Sequence, residues 1–481
     1  MEYKKYIKLI KETDIAEYSN IKGFIILKPY GYEIWDNIKN ILNKILIKNN
    51  YKNVIFPLLI SKKLIETENR YIKKKRELKC GIISYKKFKK KNDNLIIDKN
   101  SKLKDELIIR PTSESIIWAT FKKWIKSYKD LPILINQWGN VIRFEMKNTM
   151  LLRNSEIFWQ EGHTAHANKK DAENEIKKIK KIYKILIKKY LSIPYIFGYK
   201  TPNETFIGAN KTYTFETITK NKKKSIQLAT IHFLKKNFSK AFNVKYINKK
   251  CKNKYVWGTS WGLSIRLIGA IIMLHNDKNG IILPPKISPI QVIIIYILKK
   301  KNKKQKKIIK KLKKILNKEK TIRYKIDNDT LSTPGKKFYK YEKMGVPLRI
   351  TIGEREIKKK IIEITRRDNF KKYILKLDYK LNKKILKLLN IIQKKIYKNA
   401  KKNIKKNTVY LDKNFKIFKE KMLKDNGFII TYWDKNLKTE LKIKKETLAT
   451  IRCIPNLKKK NGKCIYSRKK TNLRVVYGKS Y

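Results

Sequence analysis

VIRFEMKNTMLLRNSEIFWQEGHTAH, residues 141–166, and the shorter IRPTSE, residues 109–114, decide how this chain is read. Elsewhere the sequence runs in lysine, isoleucine, asparagine and tyrosine, and its default cation is Lys. In these two stretches stand Arg110, Arg143 and Arg153, with Glu145, Glu156, Glu161 and two of the chain's four histidines, His163 and His166. A guanidinium grips a carboxylate or phosphate through two parallel bonds, which an ammonium cannot copy. Arginine kept where lysine is the default therefore predicts bidentate work. IRFE and IFWQEGHTA read as two strands joined by a loop.

Outward from this region the apolar spacing alternates between helix and strand. Residues 33–50 have helical spacing at Ile34, Trp35, Ile38, Ile41, Leu42 and Ile45, and Asn53 to Ile60 reads as a buried strand. Residues 113–128 and the Lys-rich 170–191 read as helices. LSIRLIGAIIMLH, residues 263–275, is an apolar helix with one arginine, Arg266, which would be costly there without a partner. Mixed strands and helices, with antiparallel hairpins around the arginines, favour an α/β or α+β catalytic body. After Pro284, Pro285 and Pro289, QVIIIYIL reads as a buried parallel strand. A Lys-rich helix to about residue 320, TIRYKID, a turn at Pro334–Gly335, a helix and VPLRITIG complete a small doubly wound α/β domain. Near residue 390 the pattern turns helical and very basic, and from Gly427 a short mixed tail begins. These shifts divide the chain into residues 1–287, 288–390 and 391–481. Lysine runs at 72–76, 221–224 and 299–314 read as solvated faces.

At 481 residues the chain can bury more than one core. Its net charge of +81 fits a polyanion partner such as RNA, although Lys, Asn, Ile, Tyr and Phe all come from A- and T-rich codons and composition accounts for much of the excess. Four cysteines, Cys80, Cys251, Cys453 and Cys464, form no CxxC pair and suggest a reducing, cytosolic compartment. The N-terminal MEYKKYIKLIKETDIAEYS has neither the apolar core of a signal peptide nor the acid-poor character of a transit peptide. The longest apolar runs are far too short to span a bilayer, so no membrane partner is expected.

Taken in order, the motifs resemble those of the prolyl-tRNA synthetases, a family of class II aminoacyl-tRNA synthetases. GFIILKPYGYEIWDNI, residues 23–38, resembles motif 1, the dimer-interface helix, with its characteristic proline at Pro29; RFEMKNTMLLRNSEIFWQEGHTAH resembles motif 2; WGTSWGLSIRLIGAI, residues 257–271, resembles motif 3. RPTSE and WQEGHTAH are specific to the prolyl enzyme within the class. The resemblance spans nearly the whole chain. It implies an antiparallel-sheet catalytic domain, an α/β anticodon-binding domain and a small α+β C-terminal domain, in the archaeal and eukaryotic-like form without the editing insertion. It also implies a cytoplasmic homodimer that joins L-proline to ATP as prolyl-adenylate, releasing pyrophosphate, and transfers proline to the terminal ribose of tRNA(Pro) with release of AMP.

That reaction sets a carboxylate against the α-phosphate of ATP, so fixed cations must cancel their repulsion. By resemblance, Arg143 bridges the two anions and Arg266 holds the γ-phosphate or stacks near the adenine; these are the candidate catalytic residues. Arg153, with Asn154 beside it, would hold the far end of ATP, and Glu145, Gln227, Thr230 and Ser264 would complete the nucleotide site, with Mg2+ neutralising the remaining charge. The imino cation of proline calls for carboxylate and hydroxyl acceptors. Thr112, Glu114, Arg143, Trp159, Glu161, His163 and His232 form the expected proline site. The family's QxGTSH element stands here as QLATIH, with Ala229 and Ile231 in place of Gly and Ser.

STPGKKFYKYEKMGVPLRITIGERE, residues 332–356, resembles the anticodon-binding domain, and Phe338, Glu342 and Arg349 match its base-reading positions. The alternative for Glu342 and Arg349 is a plain ion pair. ETLATIRCIP, NGKCIY and VVYGKSY resemble the family's C-terminal appendix, where many relatives hold zinc with two pairs of cysteines. Here Cys464 is a lone remnant, and Asp434, Thr439 and Ser467 occupy the other ligand positions, so no structural zinc is expected. Apolar packing by Ile429, Trp433, Ile443, Ile454, Val475 and Val476 is expected to carry the tail. Two rival readings are a catalytically dead, synthetase-like RNA-binding protein and a sister class II enzyme for threonine, serine or glycine. The complete arginine set opposes the first, and the prolyl-type RPTSE and WQEGHTAH oppose the second.

Overall fold

Within the chain's largest sheet, six antiparallel neighbours carry the arginine-rich stretch. A computed structural model describes residues 3–72, 79–221, 223–297, 303–318, 322–424, 427–458 and 460–481. Among these the sheet has eleven strands, in spatial order 408–410, 428–432, 474–478, 450–455, 196–199, 211–218, 225–235, 257–264, 156–166, 133–142 and 52–53. Strand Glu156–His166 lies between Ile133–Ile142 and Trp257–Ser264, antiparallel to both. Its even-numbered side meets helix Lys169–Ile185, whose Ala172, Ile176, Ile179, Ile182 and Tyr183 recur at helical spacing and are buried. Full burial of each such isoleucine is worth roughly 1.5–3 kcal/mol. Gly162 is required on that side, because a Cβ there would lie 2.2 Å from the Trp261 ring. The odd-numbered side, with Trp159, Glu161 and His163, is left for chemistry.

Two further helices pack against the sheet and the turn beside it. Pro29–Ile47, with Pro29 in its first turn, buries Ile34, Trp35, Ile38, Leu42 and Leu46, and Trp35 meets Trp138 edge-on at 5.8 Å. Arg266–Leu274 is apolar and buried apart from Arg266 and Met273. It packs on the turn at 150–152 through Gly269, where a Cβ would lie 2.6 Å from Leu152.

The second unit is a five-stranded sheet in the order 324–326, 292–296, 348–352, 361–366, 372–376. Its first three strands are parallel, as QVIIIYIL predicts, but the last two are antiparallel, so the unit is mixed and not uniformly doubly wound. The helix Leu381–Lys406 runs unbroken past position 390. The tail then adds its strands to the catalytic sheet edge through Gly198↔Pro455 and Tyr199↔Ile454. This seam encloses buried Glu216, which accepts from Lys200 at 2.9 Å and from Arg452 at 3.1 and 3.0 Å. Ile429, Trp433, Ile443, Ile454, Val475 and Val476 are buried in the tail, as the sequence predicts.

Several local expectations are corrected. Asn53 to Ile60 is not one strand: Lys52–Asn53 and Leu59–Ser61 are strands on different sheets, divided by Pro57. Strand Ile133–Ile142 ends before Arg143, Phe144 and Glu145, which therefore lie beyond the sheet. Pro334–Gly335 opens a helix, Pro334–Lys343, because proline suits a first helical turn and Thr333 caps it. The basic run at 73–76 lies outside the described residues, as do Lys222 and residues 299–302. No helix among the described residues is long and apolar enough to cross a membrane.

Candidate active site

Cross-strand register assembles the site's floor. Thr212, His232, Ser260 and His163 form one row across four strands, and Thr214, Thr230, Gly262, Glu161 and Gln137 form the next. Trp159 stands opposite Ser264, one step further along. Residues two apart on a strand share a face, so both rows and Trp159 point to one side. Ala229 and Ile231 lie between these positions and pack in the core against Leu263 and Trp261. The two departures from the family element thus fall on the side away from the site.

Glu161 is the centre of the floor. It is 2 % exposed, accepts from Ser113 at 2.6 Å and Gln137 at 2.7 Å, and faces His163 Nε2 at 3.1 Å. Burial alone would raise its carboxyl, but His163, Ser113 and Arg110 outweigh burial and hold it below the ordinary value. Ser113 is at the N-cap of helix Glu114–Trp124 yet makes no cap bond, because its hydroxyl is committed to Glu161. Glu114 follows, 5 % exposed, accepting from Thr112 and, at 3.3 Å, from Ser260. Burial, first, then the charges of His163 and Arg143 push His232 down to about 3, so it is a neutral ring at neutral pH, with Nδ1 2.9 Å from the Thr212 hydroxyl. His163 Nδ1 and Trp159 Nε1 are buried with no partner among the described residues.

The arginines enter from the rim. Arg143 Nε donates to the Pro111 carbonyl at 2.6 Å, and its guanidinium lies 5.4 Å from the Trp159 ring. Burial and the like charge of Arg266 hold Arg143 below its ordinary value, against the pull of Glu114, Glu161 and Glu145. Arg266 Nε donates to the Leu152 carbonyl at 2.8 Å, and Ser264 accepts from the Arg266 amide at 3.3 Å. Leu152 belongs to a tight turn closed by bonds between Thr149 and Arg153, with Leu151 at φ 63. Tyr481 donates to the same Leu152 carbonyl at 2.8 Å, and the Arg153 guanidinium sits 5.8 Å from its ring. Asn154 is buried beside Arg153, Gln227 and Thr230 are half-buried, and Glu145 is exposed just past the strand end. Arg110 makes no ion pair among the described residues. It is buried, its Nη1 and Nη2 donate to the carbonyls of Phe56, Pro57 and Asn140, its Nε has no partner among the described residues, and its charge helps hold the Glu161 carboxylate.

Sequence reasoning missed Ser113, Gln137, Ser260 and Thr212, which tie the floor together, and also Glu68. Glu68 accepts from Ser115 behind Glu114; burial, opposed by Ser115 and helped by Glu114, pushes it up to about 7. Strict alternation in 156–166 and 257–264 is a signal that marks Ser260. Nothing in the sequence pairs Glu68 with Ser115.

Residues 85–275 match the tRNA synthetase class II core domain (G, H, P, S and T), residues 291–388 the anticodon binding domain, and residues 415–481 the prolyl-tRNA synthetase C-terminal domain. A proline–tRNA ligase of Azobacteroides pseudotrichonymphae is 46% identical over 94% of this chain and 91% of its own. The chain belongs to the proline–tRNA ligase family. Another member, from Bacteroides fragilis, is 42% identical over 99% of this chain and 96% of its own. The prolyl-tRNA synthetase of Cryptosporidium parvum, solved with halofuginone and AMPPNP, superposes with TM-score 0.90 at 34% identity, covering 99% of this chain and 97% of that one. The same enzyme solved with L-proline and AMP gives 0.90 at 33% identity, over 99% of this chain and 94% of that one.

Within the family's anticodon-binding unit, Arg349 is paired to Glu342, lies 3.8 Å over the Phe338 ring and reaches Thr365 at 3.5 Å. Glu342 and Arg349 do form the ion pair that the sequence leaves open. In the tail, the positions expected from the resemblance to correspond to zinc ligands form a hydrogen-bonded cluster. Asp434 accepts from Thr439 at 2.8 Å and Ser467 at 2.7 Å, and Cys464 is buried beside them in sequence.

Proposed function

We propose that the chain is a proline–tRNA ligase whose floor of Glu161, His163 and His232 receives proline and whose rim of Arg143, Arg153 and Arg266 receives ATP. One observation carries this reading: the Arg143 guanidinium is anchored to the Pro111 carbonyl and lies 5.4 Å from the Trp159 ring, near enough to Glu114, Glu161 and Arg266 to feel their charges. A guanidinium there meets both anions of adenylate formation, the carboxylate of the amino acid and the α-phosphate. It is preorganised by Pro111, so little reorganisation is needed as charge develops.

The imino cation binds Glu114 and the Thr112 hydroxyl, and Trp159 walls the pyrrolidine ring. His163 Nδ1 and Trp159 Nε1 have no protein partners among the described residues, and so are ready for substrate or water. His232, held neutral, adds no second cation against the imino group. ATP lies along Arg266, Ser264, Gln227 and Thr230, with its far end against Arg153 and Asn154. Magnesium arrives with the nucleotide. The described residues contain no group of three His, Cys, Asp or Glu able to hold a metal, which fits an ion carried by phosphates and water with a single carboxylate such as Glu145.

Phe338, Glu342 and Arg349 read the anticodon. Opening the Glu342–Arg349 pair frees a carboxylate and a guanidinium for a guanine edge, and Arg349 Nε is already unpartnered among the described residues. The protein works as a cytoplasmic homodimer. Its four cysteines are free, and Phe88 and Leu95, 64% and 71% exposed on the hairpin 88–97, offer an apolar surface that a second copy would cover. The residue ranges 1–287, 288–390 and 391–481 serve as its catalytic, anticodon-binding and C-terminal parts. Purified protein charging tRNA(Pro) with proline only in the presence of ATP is the expected result; charging with another amino acid instead would overturn the reading.

A further inference from the structure

Arg367 is among the most deeply buried arginines of the described residues, with its side chain 1% exposed. Nothing in the chemistry above uses it. Its Nη1 and Nη2 donate to the two carboxylate oxygens of Asp277, both at 2.7 Å, and its Nε donates to the backbone carbonyl of Glu342 at 2.5 Å. One guanidinium therefore ties together two parts of the molecule. Asp277 belongs to the two-stranded hairpin Asn276–Asp277 and Gly280–Ile281, which follows directly on the helix bearing Arg266. Glu342 is at the end of helix Pro334–Lys343, where its side chain pairs with Arg349.

The joint is stiff for a second, independent reason. Gly280, at φ +133, presses on backbone: a Cβ there would lie 2.6 Å from the Cα and carbonyl oxygen of Lys343. Gly345, at φ +80, meets the Ile281 carbonyl in the same way at 2.8 Å, and its own carbonyl accepts from the Leu283 amide at 3.3 Å. On the other side of the hairpin, Asn276 donates to the carbonyls of Ile272 and Met273, fastening it to the last turn of the Arg266 helix. Backbone against backbone, with a bidentate ion pair across the joint, leaves little slack for one side to move alone.

We propose that Arg367 is a positioning residue that couples base reading at Glu342 and Arg349 to the placement of Arg266 in the active site. The element with two arrangements is the Glu342–Arg349 pair, closed in the free protein and opened when a base edge takes both partners. A shift of the Glu342 backbone on opening passes through Arg367 to Asp277 and into the helix that begins at Arg266. The inference rests on the proposed roles of Glu342, Arg349 and Arg266.

The test uses the full chain, with Arg367→Lys, Asp277→Asn and the double variant. Proline-dependent pyrophosphate exchange without tRNA is measured beside charging of tRNA(Pro) and of the same tRNA with its anticodon bases replaced. Lysine keeps the charge but cannot bridge Asp277 and Glu342 together. The expected result is exchange close to wild type, a charging kcat for tRNA(Pro) reduced by about 5–150-fold, the usual range of coupling between sites, and little change in tRNA KM. The kcat advantage of the natural anticodon should shrink by the same factor, and the double variant should be no worse than either single one. A change in tRNA KM alone would make Arg367 an RNA contact. A parallel fall of exchange and charging in both single variants, with lowered melting, would make it scaffold. Either result overturns the inference, as does wild-type behaviour of Asp277→Asn. Failure of the proposed site shows differently: the unmodified protein would give no proline-dependent exchange at all, or charge both tRNAs equally.

Discussion

Replacing Tyr481 with Phe isolates one hydrogen bond at the nucleotide side of the site. The Tyr481 hydroxyl and the Arg266 Nε both donate to the Leu152 carbonyl, each at 2.8 Å. Phenylalanine removes the first bond and keeps the ring that faces Arg153 at 5.8 Å. Arg266 still satisfies the carbonyl, so no buried acceptor is orphaned, and the loss is the net worth of one neutral bond, about 0.5–1.5 kcal/mol. At about 1.36 kcal/mol per factor of ten, that is roughly a 2- to 12-fold change. The change belongs to ATP, because the loosened turn carries Arg153, whereas Glu161, His163 and Glu114 are held by the sheet and by another helix. Proline-dependent pyrophosphate exchange, with ATP titrated at saturating proline and the converse, should give a raised ATP KM and an unchanged proline KM. Melting should be nearly unaltered. An unchanged ATP KM, or a shift confined to proline, would refute the reasoning.

Arg143→Ala should leave the protein folded and lower exchange by roughly 10²–10³, the usual cost of losing one preorganised donor to developing charge; near-normal exchange would remove Arg143 from the reaction. Asp434→Ala deprives Thr439 and Ser467 of their acceptor, and the urea midpoint should fall by the equivalent of about 1–3 kcal/mol. With Asp434 committed to these hydroxyls, elemental analysis should find less than one zinc per chain, and chelator should leave melting unchanged; stoichiometric zinc would contradict this. Burial, the first cause at each, pushes His166 and His275 down to about 4 and His232 to about 3. These rings take protons more readily in the unfolded chain, so their contribution is complete above the unfolded value near pH 6.5 and is lost as pH falls toward 4. Denaturant midpoints measured from pH 8 to 4 should fall in that window, and His275→Gln should flatten the decline.

The rows of the site were legible because a strand's period is two: Trp159, Glu161 and His163 share a side in any strand that holds them. The residues that fix those side chains were not legible. Ser113 resembles an N-cap by position, and only the approach of Glu161 from a strand 48 residues away redirects its hydroxyl. Arg110 had the sequence context of an anion binder, but its surroundings are backbone carbonyls, which no local pattern reveals. Arg266 on an apolar helix calls for compensation of its charge, and its Nε bonds a carbonyl 114 residues away, which no local pattern reveals. In the second unit, apolar runs marked buried strands but carried no information on direction, so its antiparallel edge at Ile361–Arg366 and Lys372–Lys376 went unforeseen. The seam between tail and catalytic sheet rests on Glu216, Lys200 and Arg452, ordinary charged residues until the fold buries them together.

The central claim is that Arg143, held by Pro111 beside Trp159, activates proline. The most direct test is ATP–pyrophosphate exchange by the purified chain with each proteinogenic amino acid in turn. Proline should lead. Alanine and cysteine should trail it by a modest margin, because small apolar differences discriminate by only about 1–3 kcal/mol. Exchange led by threonine, serine or glycine, or no exchange with any amino acid, would contradict the account.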